Sequence, residues 1–226
     1  MATIIRFQFM RDERLRFLSH LDLQRLFQRS FRRGSIPTAF SEGFNPHIKL
    51  AFAGALPLGM ITDCEYGDIV LTEDMPAEIF KAKMNAALPD GMKILNAEVI
   101  PAGTASLASS VKQADYTVTL FDQFDCADDA AITSAVEDLM TKPEIIIRKR
   151  NKKKRWVDTD IKPFVADLNY IGRNGDDLDF SLSIRYIDQK CVKAIQVMQA
   201  LADTTGLPLN VDETLRLHKH EMVLEE

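Results

Sequence analysis

Residues 19–34 read SHLDLQRLFQRSFRRG and predict the amphipathic helix around which the first half of the fold is built. Ser19 and Asp22 form a variant of the capping box, and Gly34, directly after two arginines, is a typical helix stop. The apolar stripe expected to face the core consists of Leu23, Leu26, Phe27 and Phe31. The polar stripe consists of Asp22, Arg25, Arg29 and either Arg32 or Arg33.

The segments on either side of this helix complete a β-α-β-β-α-β order. Thr3–Met10 alternates apolar and polar side chains as a strand does, and Pro76 favours a helix start because its missing N–H costs nothing there. The other expected elements are strands at 49–53, 65–72 and 92–100 and a helix at 76–88. Two helices on one face of a four-stranded antiparallel sheet form the ferredoxin-like arrangement. We therefore expect an α+β unit over residues 1–100.

The second half repeats this order with an insertion. Residues 101–113 (PAGTASLASSVKQ) are small and polar and predict a linker, and residues 114–226 form a second ferredoxin-like unit. Its expected strands are 115–121, 164–171, 178–186 and 214–220, with helices at 128–140 and 189–202. Residues 144–150 and 155–160 are the two arms of the inserted hairpin. The fold class is thus α+β, with two ferredoxin-like units in tandem.

Composition excludes several classes of protein. Arg6 interrupts the only apolar stretch at the N-terminus, so we expect no signal peptide, and no apolar run approaches the roughly 18 residues of a membrane span. The three cysteines lack metal-ligand spacing, and an odd count suits a reducing compartment. We expect a cytoplasmic protein with no metal, no cofactor and no membrane contact.

The charge is unevenly distributed along the chain. The net charge is −5, yet residues 1–53 carry +5 and residues 141–162 carry +6, which leaves −16 on the remainder. Two basic segments on an acidic body produce a field that can orient a polyanion. Two solvated charged faces that bind nothing are the alternative.

The inserted hairpin carries the densest positive charge. Residues 148–155 read RKRNKKKR, with seven positive side chains in eight positions, and Trp156 follows them. Such a cluster gives RNA a salt-dependent and sequence-tolerant affinity, because each neutralised phosphate releases counterions. Trp156 is either a stacking platform for an unpaired base or part of the core.

A loop after the first helix carries the second group of candidates. Residues 41–50 read SEGFNPHIKL, and Gly43 and Asn45-Pro46 predict a fixed, exposed turn. Asn45, His47 and Lys49 lie on it, and His20 lies at the start of the preceding helix. Two histidines near a cation also suit general acid–base cleavage of RNA.

Five sequence blocks resemble a known bacterial family: RFLSHLDL (16–23), FSEGFNPH (40–47), ALPLG (55–59), EYGD (65–68) and DIKPF (160–164). The chain is similar over nearly its whole length to radical-SAM-associated proteins of unknown function, which stand alone or are fused behind B12-binding radical-SAM enzymes. Ile48 stands where that family has proline. Because cluster-binding cysteines are absent, the resemblance implies an accessory chain with a radical-SAM enzyme as partner. Frequent neighbours of such genes, a ribosomal protein and an RNase of the E/G type, point to RNA.

Together these features predict an RNA-binding accessory protein that acts with a radical-SAM enzyme in modification or processing of tRNA or rRNA. The expected RNA contacts are Arg25, Arg29, Arg32, Asn45, His47, Lys49, Arg148, Lys149, Arg150, Lys152, Lys153, Lys154, Arg155 and Trp156. Two alternatives stay open: a metal-independent endoribonuclease centred on His20 and His47, and a protein-docking adaptor for a radical-SAM partner. The balance is against catalysis, because nothing in the sequence fixes a third group beside both histidines.

Overall fold

The structure is a computed structural model that describes residues 3–124, 126–150, 153–211 and 215–225. Its elements are helices and a mostly antiparallel sheet, so the α+β class is confirmed. The chain divides into unit 1, Met1–Val111 with Leu224–Glu226, and unit 2, Lys112–Val223.

Unit 1 follows the predicted element order. Its strands are β1 (Thr3–Arg11), β2 (Leu50–Phe52), β3 (Met60–Leu71) and β4 (Met92–Ile100), and its helices are α1 (His20–Arg33), α2 (Ala77–Ala87) and α3 (Leu107–Ser110), with a 3-10 helix at Glu13–Leu15. In space the strands lie in the order β4-β1-β3-β2, and every pair is antiparallel. Helices α1 and α2 contact each other, which places both on one face.

A phenylalanine cluster forms the core of unit 1. The ring of Phe27 on α1 lies 5.4 Å from that of Phe7 and 5.0 Å from that of Phe9, centroid to centroid. Phe7 lies opposite Gly67 of β3, and a Cβ atom at Gly67 would lie 2.4 Å from Cζ of Phe7. The Phe7 ring therefore occupies the space that any side chain at position 67 would need.

The ends of α1 lie where the sequence places them. The Ser19 hydroxyl oxygen accepts from the Asp22 N–H at 3.2 Å, which confirms the cap. Gly34 ends the helix with a φ of −77°, so it is not required for a left-handed turn. A Cβ there would lie 3.2 Å from the carbonyl oxygen of Lys83 on α2, so the glycine permits close approach of the two helices.

The predicted apolar stripe of α1 is largely correct. Leu23, Phe27 and Phe31 are buried, whereas Leu26 is only half-buried and lies at the edge of a surface groove. The prediction for Leu26 was therefore wrong. Its position on the helix is displaced from the centre of the apolar stripe towards the arginines.

Unit 2 contains a second set of strands in the same spatial order. Its elements are β5 (Val111–Leu120), α4 (Asp129–Thr141), β6 (Ile146–Arg150), β7 (Trp156–Asp160), β8 (Val165–Asn174), β9 (Asp177–Arg185), α5 (Ala194–Thr205) and β10 (Arg216–Leu224), with a 3-10 helix at Lys162–Phe164. Four strands lie in the order β10-β5-β9-β8. The other two, β6 and β7, form a separate antiparallel hairpin. Helices α4 and α5 contact each other.

Several boundaries in unit 2 differ from those predicted. Helix α5 begins at Ala194 instead of residue 189, because Ile187 and Lys190 close a tight turn in which Asp188 and Gln189 have positive φ angles. The last strand, expected at 214–220, is β10, and Thr214 lies outside the described residues. The segment 101–113, expected to be a linker, includes α3 and the first residues of β5. Within the described ranges, no helix has both the length and the apolar character needed to cross a bilayer.

A buried arginine connects the loops that flank α1. Arg11, at the end of β1, has no exposed surface. Its guanidinium donates to the carbonyl oxygens of Leu18 and Pro57, each at 3.2 Å, and to that of Met60 at 2.5 Å. Burial lowers the pKa of Arg11 to about 10, although the nearby Glu65 carboxyl opposes this shift. The side chain therefore stays charged at neutral pH and holds the segment before α1 against the segment before β3.

Replacing Arg11 by lysine should destabilise unit 1. The compact ammonium group of lysine cannot reach the three carbonyl oxygens that the planar guanidinium group contacts. We therefore expect a loss of about 2–3 kcal/mol in the free energy of unfolding. Urea unfolding followed by circular dichroism measures it. The control is Arg14→Lys, because the Arg14 side chain is mostly exposed and pairs with Asp12. Equal effects of the two substitutions would contradict the role given to Arg11.

Candidate nucleic-acid interface

Helix α1 carries its arginines on the side away from the phenylalanine core. Arg25, Arg29 and Arg32 are all exposed, as the sequence predicts. Arg25 donates to Asp22 at 3.1 Å, in an exposed pair one turn apart. Arg29 and Arg32 form no ion pair with any described residue. Two of the three guanidinium groups are therefore available to an external anion.

A shallow groove of about 380 Å³ runs beside these arginines. Its lining consists of Leu18, Asp22, Arg25, Leu26, Arg29, Arg33 and Pro89. We call it the arginine groove. The sequence left open whether Arg32 or Arg33 belongs to the polar stripe. In the structure Arg33 lines the groove and Arg32 lies outside it.

Arg33 has a structural role as well as a place in the groove. Its guanidinium donates twice to the carbonyl oxygen of Ala87 at the end of α2, at 2.6 and 3.1 Å, and once to the Ser30 hydroxyl at 3.0 Å. The Ala87 oxygen is one of the carbonyls that a helix end leaves without an internal partner. Arg33 therefore fixes the wall of the groove, while Arg29 faces it without a partner.

The carboxylate of Asp22 reduces the positive charge of the groove. The Ser19 hydroxyl, followed by the Arg25 guanidinium, holds the pKa of Asp22 below its ordinary value. Asp22 is thus ionised at neutral pH. It offsets one positive charge and leaves the groove, with three arginines, cationic.

The 41–49 loop is closed by its own hydrogen bonds. The Ser41 N–H donates to the His47 carbonyl oxygen at 2.8 Å, and the His47 N–H donates to the Ser41 hydroxyl at 3.1 Å. Asn45, His47 and Lys49 are exposed, but none of them lines the arginine groove. The candidate residues of the loop therefore do not share the groove with the arginines of α1.

The two histidines of the nuclease hypothesis have separate environments. The His20 ring packs edge-on against the Phe52 ring, with 5.9 Å between the two ring centroids, and lies near the Gln24 amide. Nδ1 of His47 lies 2.9 Å from the Ser41 hydroxyl. No contact between the histidines occurs in the described part of the chain, so each ring has its own local partner.

The basic hairpin, β6 and β7 with their connection, is fixed at its base. Ile145 and Ile161 are buried there, and their backbones are joined by an N–H···O bond of 2.8 Å. The Asp160 carboxylate accepts from the N–H groups of Ile145 and Lys162, both at 2.9 Å. The Lys162 ammonium donates to the carbonyl oxygen of Met140 at the end of α4. These bonds anchor the base of the hairpin to unit 2.

Beyond this base the hairpin is exposed and cationic. Besides Ile146 and Asp158, the exposed residues are Arg148, Lys149, Arg150, Lys153, Lys154, Arg155 and Trp156, and Lys152 lies outside the described residues. The side chains of Arg148, Lys149, Arg150 and Lys154 form no ion pair or hydrogen bond with a described residue. The hairpin therefore presents charge that the rest of the described chain does not neutralise.

Trp156 lies on the surface of this hairpin. It is 55% exposed and pairs directly across the strands with Arg150. The guanidinium carbons of Arg150 and Arg148 lie 4.9 and 5.8 Å from the centroid of its ring. The alternative that placed this tryptophan in the core was wrong, because Trp156 and its same-face neighbours Arg148, Arg150 and Asp158 are all exposed.

Sequence reasoning missed Arg11 and left the choice between Arg32 and Arg33 open. Arg33 is adjacent to Arg32, and helical spacing alone does not choose between them, since the choice depends on the end of α2. Arg11 follows an alternating strand, where a charged residue is expected to be exposed. In both cases the only sequence feature that pointed to the residue was the position of an arginine next to the end of a predicted helix or strand.

The sequence matches a family model over residues 5–200, and the chain belongs to that family, described as an uncharacterized protein conserved in bacteria (DUF2344). This description contains no link to radical-SAM enzymes. No curated protein matches the sequence.

Solved structures with a similar fold come from Cbf5 complexes. A chain of a Cbf5–Nop10–Gar1 complex matches with a TM-score of 0.52 and 11% identity, over 96% of this chain and 49% of that one. A chain of the archaeal box H/ACA sRNP Nop10–Cbf5 complex matches with a TM-score of 0.49 and 8% identity, over 98% and 48%. The present chain spans about half the length of these chains. At such identities the likeness shows the fold alone.

Arg29 and Arg33 should respond differently to substitution, although both line the groove. Arg33→Ala removes the hydrogen bonds to Ala87 and should lower the free energy of unfolding by about 1 kcal/mol. Arg29→Ala removes no bond to a described residue and should change stability by less than about 0.5 kcal/mol. Urea unfolding distinguishes the two. A loss of stability in Arg29→Ala equal to that in Arg33→Ala would show that Arg29 is also structural.

Proposed function

We propose that this protein binds RNA, with the basic hairpin as the principal contact and the arginine groove as a second one. The observation that carries the proposal is the hairpin itself. Four of its cationic side chains, Arg148, Lys149, Arg150 and Lys154, are exposed and form no ion pair or hydrogen bond with a described residue. Like charges at this density repel one another, so a polyanion that neutralises them gains free energy without first breaking an ion pair.

The distribution of charge supports an oriented mode of binding. Residues 141–162 carry +6 in a chain with a net charge of −5. The acidic remainder repels a polyanion and the basic segments attract it, so the field favours approach to the basic segments. The groove adds Arg25 and Arg29, whose planar guanidinium forks suit phosphate oxygens.

We also propose that the chain folds as two ferredoxin-like units in tandem. The spatial strand orders β4-β1-β3-β2 and β10-β5-β9-β8 support two ferredoxin-like units in tandem, since both place strands of the same rank in the same position. The role as accessory to a radical-SAM enzyme in RNA modification stays a prediction from the sequence blocks, and so does a cytoplasmic location. The endoribonuclease hypothesis requires His20 and His47 on one substrate and gains no support from their separate partners.

A double substitution on the hairpin tests the proposal. Lys149→Ala with Lys154→Ala removes two unpartnered charges without touching Trp156, so RNA affinity should fall for all sequences alike. The slope of log K against log salt should become shallower by up to about two units, because fewer counterions are released. Fluorescence anisotropy of labelled RNA over a range of salt concentrations measures both quantities.

The matched control removes the same charge elsewhere. Lys93→Ala with Lys190→Ala takes two exposed lysines from sites outside the hairpin and the groove, so it should leave the slope unchanged. If the hairpin variant and the control bind RNA as the parent protein does, the hairpin does not contact RNA and the proposal fails.

A further inference from the structure

We infer that the hairpin selects single-stranded RNA, because Trp156 offers its indole ring to an unpaired base while Arg148 and Arg150 contact the adjoining phosphates. This inference rests on the proposed RNA binding and names the class of RNA. The three side chains form one surface, which we call the stacking platform.

The register of the hairpin creates the platform. Arg150 lies directly opposite Trp156, and Arg148 lies opposite Asp158, the residue two positions beyond the tryptophan. Alternate residues of a strand, and residues directly opposite each other on paired strands, share a face, so the tryptophan and both arginines project to the same side. The distances of 4.9 and 5.8 Å from the guanidinium carbons to the ring centroid agree with this placement.

The other face of the hairpin differs in character. Ile147 and Val157 alternate with the residues of the platform and are half-buried. Anchorage at the base comes from Ile145, Ile161 and Asp160. The indole is therefore not needed to hold the hairpin in place, and it remains 55% exposed next to two cations.

The pairing of an indole with arginines favours a nucleic acid over a simple anion. A base stacked on an aromatic ring contributes binding free energy that a phosphate group does not, and every base has a face that can stack. The guanidinium groups next to the ring can bind phosphates adjoining that base, and their planes can also stack on bases. In a duplex the base faces are covered by neighbouring pairs, so only unpaired nucleotides can use the ring.

The sequence contains one tryptophan, so intrinsic fluorescence reports on the platform alone. The full chain is titrated with an oligoadenylate, an oligouridylate and a blunt RNA duplex carrying the same number of phosphates. We expect both single strands to quench the emission and to bind more tightly than the duplex. Anisotropy of labelled RNA gives the affinities independently of the tryptophan.

Substitutions separate stacking from charge. Trp156→Ala should weaken single-strand binding by roughly 5- to 100-fold and leave duplex binding nearly unchanged, whereas Trp156→Phe should retain most of the affinity. Lys149→Ala, on the opposite face of the hairpin, should weaken both kinds of RNA alike. Thermal unfolding of each variant establishes that it is folded, and the phenylalanine variant preserves an aromatic ring if alanine perturbs the hairpin.

The outcomes distinguish the inference from the function on which it rests. Tight binding of duplex and single strand alike, without quenching and without an effect of Trp156→Ala, would overturn the inference and leave RNA binding intact. Absence of binding to every RNA would overturn both. A blue shift of the emission with anionic phospholipid vesicles, together with absence of RNA binding by anisotropy, would assign the platform to a lipid surface and also overturn both.

Discussion

The contact of the Arg11 guanidinium with three carbonyl oxygens is the constraint on which the geometry of unit 1 depends. It joins the end of β1 to the residue before the α1 cap and to the segment that enters β3. Gly59 adds a backbone bond of 2.9 Å to the Arg16 carbonyl oxygen across the same junction. The start of α1, and with it the direction in which its arginines project, follows from a charge that burial alone would disfavour.

Much of this fold is visible in local sequence patterns. Ser19 and Gly34 mark the ends of α1, and the strand expected at 92–100 has the same bounds as β4. These features are local, because a cap or a strand period depends on residues a few positions apart. The reason for Gly34 was not local. Its close approach to Lys83 involves a helix some fifty residues away in the chain, and propensity carries no information about it.

The candidate sites show the same division. The basic hairpin was predictable because its charged residues and its tryptophan are close in sequence, and the register of two short strands places Trp156 directly opposite Arg150. The arginines of α1 and the candidate residues of the 41–49 loop do not share the groove. The distance between two such elements is set by packing: Arg33 donates to Ala87, and His47 is held by Ser41. Helical spacing predicts which residues share a face, but it does not predict which other element lies beside that face.

The separation of the hairpin from the four-stranded sheet of unit 2 has a consequence for how the family can diverge. Side chains beyond Ile145 and Ile161 contribute little to the buried core, so substitutions in this region change the free energy of folding only slightly. Homologues can change the length and the charge of the hairpin while the rest of unit 2 stays the same. Retention of a tryptophan between two arginines across distant relatives would thus record selection on binding and not on foldability. The hairpin is also a natural place for grafting, since a foreign turn joined at Ile145 and Ile161 inherits their anchorage.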